Sequence, residues 1–269
     1  MAADAPDTVL VEKHGAVTVV TINRPQARNA VDPQTGEKLR AAFQDFDADP
    51  QQAAAVLCGA DGTFCAGFDL KAVSTGTVRH DPQGEGLMGP TRLLLSKPVI
   101  AAVEGYAVAG GLELALWCDL RVAASSAVFG VFCRRWGVPL IDGGTVRLPR
   151  IVGHGRALDM ILTGRPVSAD EALGFDLVNR VVPQGQAVQE AIALARDLAR
   201  FPQTCMRTDR MTAHRQWGMD IADALTLEAM DGEAPLKAEA ERGAARFAAR
   251  KGRSCLLYTS PSPRDRTHH

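Results

Sequence analysis

Phe64-Cys65-Ala66-Gly67-Phe68-Asp69-Leu70 is the first of two glycine-bearing stretches that decide the fold of this chain. The second is Glu104-Gly105-Tyr106-Ala107-Val108-Ala109-Gly110-Gly111-Leu112-Glu113. Each follows an apolar run typical of a β-strand and leads into a run typical of a helix. Glycine at such a turn lets the backbone approach a ligand closely and leaves main-chain N–H groups free to point at it.

The sequence around these stretches alternates short strands with helices, which predicts an α/β core. Residues 9–12 and 16–22 are expected to form a hairpin, and Asp32-Pro33 is typical of a helix N-cap followed by proline at the first helical position. Further strands are predicted at 53–58, 98–103, 120–124 and 128–132, with helices at 91–95 and 111–117. Residues 74–89, rich in Gly, Thr, Pro and His, are expected to form a surface loop or lid.

Beyond residue 183 the pattern changes to helices, predicted at 187–200, 204–217, 221–230 and 235–250. We therefore expect a core over residues 1–200 and a helical region over 201–252. Residues 253–269 do not fit this pattern and resemble the translation of an adapter used in DNA library preparation. Our hypothesis is that this tail is non-native; finding it in frame in the source DNA would refute that.

Composition excludes several classes of function. Hydrophobic residues make up 46% of the chain, enough for a substantial core, and the formal net charge is -1 with a pI near 6.6. No clustered basic face indicates nucleic-acid binding, and no apolar run is long enough to span a membrane. The first eight residues lack the features of a signal peptide. The six cysteines have no Cys-x-x-Cys spacing, so we expect buried free thiols in a cytoplasmic protein.

Two main-chain N–H groups aimed at one point would hold a carbonyl oxygen as it becomes an anion. The glycine stretches therefore indicate activation of an acyl group, a thioester above all, followed by proton transfer. The histidines have no metal-ligand spacing, no Ser-His-Asp order is convincing, and the glycine stretches lack the Gly-Lys-Ser/Thr of a phosphate loop.

The order and spacing of several motifs resemble the crotonase, or enoyl-CoA hydratase/isomerase, superfamily from about Val9 to Arg250. Besides the two glycine stretches, they are Ile22-Asn23-Arg24-Pro25 with Asn29-Ala30, Gly137-Val138-Pro139, Gly143-Gly144-Thr145 with Arg147-Leu148-Pro149, and Leu162-Thr163-Gly164. The resemblance implies a spiral of ββα turns followed by a helical trimerisation region. It also implies a homotrimer or a dimer of trimers that acts on acyl-CoA thioesters and needs no separate cofactor or metal.

The resemblance also implies roles for individual residues. Phe68 and Gly110 match the positions whose N–H groups form the oxyanion hole. Glu113, three residues after Gly110, matches one of the two glutamates with which hydratases of this family act on water. The alternative for Glu113 is a helix-start carboxylate favoured by the helix dipole.

The sequence departs from the family pattern at the second glutamate, where Cys133 stands. A neutral thiol is a poor substitute for a carboxylate in proton transfer. Asp142 is the candidate replacement, either as second acid/base or only as the N-cap of the following helix. Arg134 and Arg135 raise the further expectation of an acyl group with a distal carboxylate.

Coenzyme A needs cations for its phosphates and an apolar cleft for its adenine. By family position the cationic candidates are Arg24, Lys71, Arg250 and Lys251. Ala66, Asp69 and Leu70 match the loop that faces the adenine. Phe247, on the last predicted helix, is a candidate to close the cleft.

The predicted activity is hydration of trans-2-enoyl-CoA to 3-hydroxyacyl-CoA, an enoyl-CoA hydratase-like lyase reaction of fatty acid metabolism. Two alternatives stay open. A single surviving carboxylate would favour a Δ3,Δ2-enoyl-CoA isomerase, and loss of the second glutamate would also be compatible with a catalytically silent acyl-CoA-binding protein.

Overall fold

A computed structural model describes residues 7–76 and 78–249 of the chain. These residues divide into two compact units, with the boundary between Ala199 and Arg200. Arg250, Lys251 and the tail that the sequence marks as non-native lie outside the described residues.

The first unit is a mixed α/β structure, as the sequence predicts. Its strands are β1 (Val9–His14), β2 (Val17–Ile22), β3 (Ala54–Gly59), β4 (Val99–Val103), β5 (Tyr106–Val108), β6 (Leu120–Ala124), β7 (Val128–Gly130), β8 (Val167–Ser168) and β9 (Arg180–Val182). Its helices are α1 (Pro33–Ala48), α2 (Leu70–Ser74), α3 (Gly110–Trp117), α4 (Gly144–Val152), α5 (His154–Thr163), α6 (Ala169–Gly174) and α7 (Ala187–Ala199). Single 3-10 turns occur at Pro25–Ala27, Pro90–Arg92 and Phe132–Trp136.

A six-stranded sheet forms the centre of this unit, in the order β1-β2-β3-β4-β6-β9. The β1–β2 pair is antiparallel and the other pairs are parallel. Alternate residues of its strands belong to two different apolar clusters, because successive side chains of a strand point to opposite faces. In β3, Ala55 and Leu57 pack in the larger cluster with Phe43 of α1, whereas Val56 packs in the smaller cluster with Ala191 of α7. Both faces of the central strands β3 and β4 are therefore buried, which explains why these two strands are almost continuously apolar.

A second sheet of three strands, β5-β7-β8, brings the two glycine stretches together. Cys65 forms a parallel bridge with Ala107 of β5, in which the Cys65 N–H donates to Tyr106 O and the Val108 N–H donates to Cys65 O. The chain then turns at Gly67 on one side and at Ala109 on the other. The two turns consequently lie next to each other at the same edge of this sheet.

Several predicted elements are confirmed and others are wrong. Asp32 caps α1 by accepting the Thr35 N–H, with Pro33 at the first helical position. The strand predicted at 128–132 ends at Gly130 instead, because the chain turns there into the 3-10 helix Phe132–Trp136. The helix predicted at 91–95 is only the 3-10 turn Pro90–Arg92. The helix expected after Asp142 is confirmed as α4, whereas α5, α6, β8 and β9 were not predicted.

The second unit consists of helices alone among its described residues: α8 (Gln203–Arg215), α9 (Ile221–Asp231), α10 (Glu233–Pro235), a π-helical turn (Leu236–Ala240) and α11 (Glu241–Ala248). The single helix predicted at 235–250 is thus interrupted by the π-helical turn. Several large apolar side chains of this unit are exposed, including Ile221 at 80% and Met230 at 66%.

The expectation of buried free thiols is confirmed for four of the five described cysteines and is wrong about burial for Cys205. Cys58, Cys65, Cys118 and Cys133 are buried, whereas Cys205 is exposed, and all five are free. In the described residues, no helix has the length and apolar character required to cross a bilayer.

Candidate active site

A cavity of about 510 Å³ opens beside the two glycine turns in the first unit. Its lining is mostly apolar and includes residues from both turns, from the loop before β4 and from the segment after β7. Among them are Ala66, Phe68, Leu70, Met88, Gly110, Glu113, Phe132, Cys133, Trp136, Val138, Ile141 and Asp142. The structure therefore gathers at one cavity the four predicted catalytic residues, Phe68, Gly110, Glu113 and Asp142.

The close approach of the two turns depends on Gly67. Its φ of +105° is in the region that favours glycine, and a Cβ there would lie 2.9 Å from Ala109 Cβ and 3.0 Å from Gly110 N. Gly110 is under a similar constraint, because a Cβ on it would lie 2.5 Å from Met88 Sδ. The absence of a side chain at Gly67 lets the two turns, which bear the Phe68 and Gly110 N–H groups, pack directly against each other, and the absence of one at Gly110 leaves room for Met88.

Neither of these two N–H groups has an acceptor among residues 7–76 and 78–249. Gly110 is the first residue of α3, so its N–H belongs to the set that a helix cannot satisfy internally. The positive end of the helix dipole adds to the attraction for an anion at this point. The geometry is suited to bind a carbonyl oxygen on which negative charge develops.

Ala109 precedes α3 with φ 54° and ψ −125°, a conformation that side-chain-bearing residues rarely adopt. Its N–H donates to Gly130 O at 2.9 Å, which ties the turn to the end of β7. This backbone geometry aims the N–H groups at the start of α3.

Glu113 lies on the first turn of α3 and is 3% exposed. Its Oε1 accepts the Asp142 N–H at 2.9 Å and the Gly144 N–H at 2.8 Å. Burial raises the pKa of Glu113 to about 7, the Asp142 carboxylate adds to the rise, and the two N–H bonds and Arg147 oppose it. A carboxyl group with this pKa can both accept and donate a proton near neutral pH.

Cys133 lies in the cavity lining where the sequence pattern expects a second glutamate. Burial raises the pKa of its thiol above the ordinary value, and the nearby Glu113 carboxylate acts in the same direction. The thiol is consequently neutral at physiological pH. It offers no second ionised group to the cavity.

Arg134 and Arg135 are not part of the cavity lining, and selection of a distal carboxylate by them stays a prediction. The Arg134 Nε donates to Ile161 O and the Arg135 Nη2 to Gly164 O, each at 3.1 Å. Arg135 also lies over the Phe132 ring. Both guanidinium groups hold the segment after β7 to the end of α5, and neither lines the cavity.

Asp142 does not cap α4, so the N-cap alternative is wrong. The N-cap is Gly143, which makes no side-chain cap bond, and the Asp142 Oδ1 instead accepts the Met88 N–H and the Thr91 hydroxyl. Sequence reasoning missed Met88, Thr91 and Arg147, which surround Asp142. The glycine-rich stretch before Thr91 has no periodicity that could have indicated this contact.

Arg24, predicted to bind a phosphate, is engaged inside the protein. Its Nη2 lies 3.0 Å from Asp32 Oδ2 and 3.1 Å from Asp69 Oδ2, and its Nη1 donates to Ala30 O. Asp69 also accepts the Lys71 N–H and so caps α2. Arg24 thereby fixes the loop that follows Phe68, and binding of a phosphate by Arg24 stays a prediction.

The other predicted coenzyme A residues are placed as follows. Ala66 and Leu70 line the mouth of the cavity, and Lys71 is exposed beside them on α2. Phe247 lies on α11 of the second unit and is 63% exposed. Within the described residues, no group of three His, Cys, Asp or Glu side chains could hold a metal ion.

Comparison with known proteins identifies the family. A sequence model described as enoyl-CoA hydratase/isomerase matches residues 12–253. The chain belongs to the enoyl-CoA hydratase/isomerase family.

Individual relatives agree with this assignment. Over 197 residues the chain is 43% identical to the enoyl-CoA hydratase EchA19 of Mycobacterium tuberculosis, covering 71% of this chain and 73% of that protein. It is 37% identical over 228 residues to the short-chain-enoyl-CoA hydratase of Clostridium acetobutylicum, covering 82% and 87%. A crystal structure of an enoyl-CoA hydratase from Mycobacterium tuberculosis H37Rv superposes with a TM-score of 0.85 and 36% identity, covering 91% of this chain and 96% of that one.

The superposition and the family match confirm the crotonase-type α/β fold with a C-terminal helical region that the motifs predicted. They also confirm an enzyme of the hydratase-like lyase kind and do not favour the isomerase alternative.

Proposed function

We propose that this protein adds water to the double bond of trans-2-enoyl-CoA thioesters to give 3-hydroxyacyl-CoA. The observation that carries the proposal is the meeting of two unengaged N–H groups, those of Phe68 and Gly110, with the Glu113 carboxyl group at one cavity. The names of the family members support the same reaction.

In this reaction the thioester carbonyl oxygen accepts hydrogen bonds from Phe68 and Gly110. Ionised Glu113 takes a proton from water as the water oxygen bonds to C3. The electron pair of the double bond moves toward the thioester oxygen, where the two N–H groups stabilise the enolate. A proton is then delivered to C2, which completes the addition without any separate cofactor.

Glu113 has the atoms for both proton transfers. Its Oε1 is held by two N–H groups, while in the described part of the chain its Oε2 accepts no hydrogen bond. We therefore assign the proton transfers to Oε2. Since the pKa of Glu113 is about 7, taking up and returning the proton are both energetically accessible.

The proposal extends to coenzyme A binding, assembly and localisation. Ala66, Asp69 and the first two residues of α2, Leu70 and Lys71, would lie against coenzyme A, with Lys71 as an exposed cation. The exposed apolar side chains of the second unit favour a homo-oligomer, a trimer or a dimer of trimers. The proposal also places the protein in the cytoplasm, as an enzyme of fatty acid metabolism.

The test follows the ultraviolet absorbance of the conjugated enoyl thioester with crotonyl-CoA and purified protein. We expect the wild type to remove the absorbance and Glu113→Gln to lose this activity, with a Cys133→Glu variant measured beside them. Absence of turnover in the wild type together with turnover in Cys133→Glu would overturn the proposal. Consumption of a 3-enoyl-CoA in preference to crotonyl-CoA would establish an isomerase instead, and tight binding of every acyl-CoA without turnover would establish a silent binder.

A further inference from the structure

The carboxylate of Asp142 is engaged by a loop far away in sequence. Its Oδ1 accepts the Met88 N–H at 3.1 Å and the hydroxyl of Thr91, across separations of 54 and 51 residues. Asp142, Thr91 and Met88 are all buried. Gly86 packs against the same oxygen atoms, since a Cβ there would lie 2.1 Å from Thr91 Oγ1 and 2.4 Å from Asp142 Oδ1.

The backbone of Asp142 is engaged as well. Its N–H donates to Glu113 Oε1 at 2.9 Å, and its carbonyl accepts Arg147 Nη1 at 3.0 Å. The Nη2 of Arg147 donates to Thr91 O at 2.6 Å. Asp142 therefore connects the loop of residues 86–91 to Glu113, and Arg147 closes the connection from α4.

The loop held by Asp142 reaches the anion site through Met88. The Met88 side chain is fully buried, lines the cavity and lies against Gly110, where its Sδ is 2.5 Å from the position of a Cβ. Movement of the loop would displace Met88 from Gly110 and disturb the start of α3.

We infer that Asp142 is a positioning residue and exchanges no proton with the substrate. Its carboxylate fixes Met88 against Gly110, and its N–H fixes the Oε1 of Glu113. This inference rests on the proposed function, and it replaces the alternative in which Asp142 is the second acid/base. It leaves Glu113 as the one carboxyl group that acts on the substrate.

The test compares Asp142→Asn, Asp142→Ala and Thr91→Val. The asparagine oxygen can still accept both hydrogen bonds, so we expect kcat within about fivefold of wild type, because bonds to a neutral acceptor are weaker than bonds to a carboxylate. Alanine leaves two buried donors without a partner, and we expect a loss of about 100-fold in kcat. Thr91→Val removes one bond, with an expected loss of about tenfold.

Hydrogen exchange of a peptide covering residues 86–92 measures the position of the loop without turnover. We expect protection to be kept in Asp142→Asn and reduced in Asp142→Ala and Thr91→Val. If Asp142→Ala does not fold, the Thr91→Val and Asp142→Asn pair decides the question. The exchange measurement distinguishes failure of the positioning role of Asp142 from failure of the proposed function. A wild type that does not hydrate crotonyl-CoA refutes the proposed function but leaves the exchange result interpretable.

The pH profile of kcat/KM would not change if Asp142 only supported the fold, so it tests the effect of Asp142 on Glu113. The charged and titratable groups that face Glu113 are Asp142, Arg147 and Cys133. In Asp142→Asn the profile is expected to keep its shape while its midpoint moves to lower pH, because a negative charge beside Glu113 is gone. A loss of 100-fold or more in Asp142→Asn with the loop still protected would overturn the inference, and so would unchanged kcat in all three variants.

Discussion

The two sides of the cavity differ in the groups that they present to it. On one side, the turns at Gly67 and Gly110 act through main-chain N–H groups, and the sequence keeps the glycine-rich pattern of the family. On the other side, the segment from Cys133 to Asp142 carries side chains, and it departs from that pattern. Binding by the main-chain side, the turns at Gly67 and Gly110, requires that no side chain fills the space next to the backbone. Chemistry on the side-chain side, residues 133–142, depends on which functional groups the side chains carry.

This difference explains which changes the site tolerates. Any side chain added at Gly67 meets Ala109 and Gly110, so the anion site constrains its neighbours whatever their chemistry. In the segment from Cys133 to Asp142 the effect of a change depends on the group replaced. Among the described residues the Cys133 thiol makes no hydrogen bond, whereas Asp142 binds Met88, Thr91 and Glu113. Variation in reaction or substrate within this fold is therefore expected on the side-chain side.

The largest effect should come from the one ionisable group that the two sides share. Glu113→Gln keeps the shape of the side chain and an oxygen for the Asp142 and Gly144 N–H groups, but it removes proton transfer. We expect kcat for crotonyl-CoA hydration to fall about 1,000-fold with KM changed little. A residual rate within tenfold of wild type would mean that the side-chain side holds another acid/base.

The same substitution should raise stability in a pH-dependent way. The pKa of Glu113 is about 7 in the folded protein against an ordinary value of 4.5, so the folded state favours the protonated form. Its contribution to stability is complete below the ordinary value and is lost as the pH rises to about 7. Above that pH the cost is on the order of 3 kcal/mol.

Denaturant unfolding at several pH values measures this cost. The free energy of unfolding of Glu113→Gln minus that of wild type should grow from pH 5 to pH 7 and then level off. Glu37→Gln, the same change on the exposed face of α1, is the matched control and should show no such growth. A difference that does not depend on pH would show that Glu113 is ionised throughout.

The main-chain side is tested by Gly67→Ala. The added Cβ meets Ala109 and the Gly110 nitrogen, so the two turns must separate and the N–H groups lose their common target. We expect kcat to fall about 100-fold, comparable to the removal of one oxyanion donor. Gly185→Ala is the control, because Gly185 also has a positive φ of +83° but nothing lies within 4 Å of its Cβ position. Equal losses in both variants would attribute the effect to backbone strain alone.

The smallest effect should come from Cys133→Ala. A thiol whose pKa is raised stays protonated at neutral pH and cannot act as a base, so we expect kcat to stay within about threefold of wild type. Cys58→Ala, a buried cysteine in the other apolar cluster, controls for the loss of volume. A 100-fold loss in Cys133→Ala alone would contradict the comparison and assign a chemical role to the thiol.

The sequence predicted those parts of the site that depend on local spacing. Glu113 follows Gly110 by three residues on a helix, so its place beside the anion site could be derived from the pattern. Asp32 and Pro33 defined the start of α1 in the same way. The fold class followed from the alternation of apolar runs with helical patterns.

The parts that could not be predicted depend on contacts between residues far apart in sequence, or on helices whose glycine and proline residues hide the helical pattern. The Met88–Asp142 bond joins residues 54 apart, and neither residue type indicates the other. Helix α4 begins at Gly144 and contains Pro149, so its sequence does not indicate where the helix starts or how far it runs. The internal pairing of Arg24 is likewise a tertiary property, because an exposed and a buried arginine look alike in a sequence.

Ala109 has a consequence for engineering. It occupies a conformation in which glycine would be unstrained, and the bond to Gly130 O helps to keep it there. A glycine at this position would remove the strain but would also let the peptide swing, so a more heat-resistant enzyme obtained in this way would bind its thioester less selectively. Selection for thermal tolerance and selection for catalytic rate should therefore diverge at this one alanine.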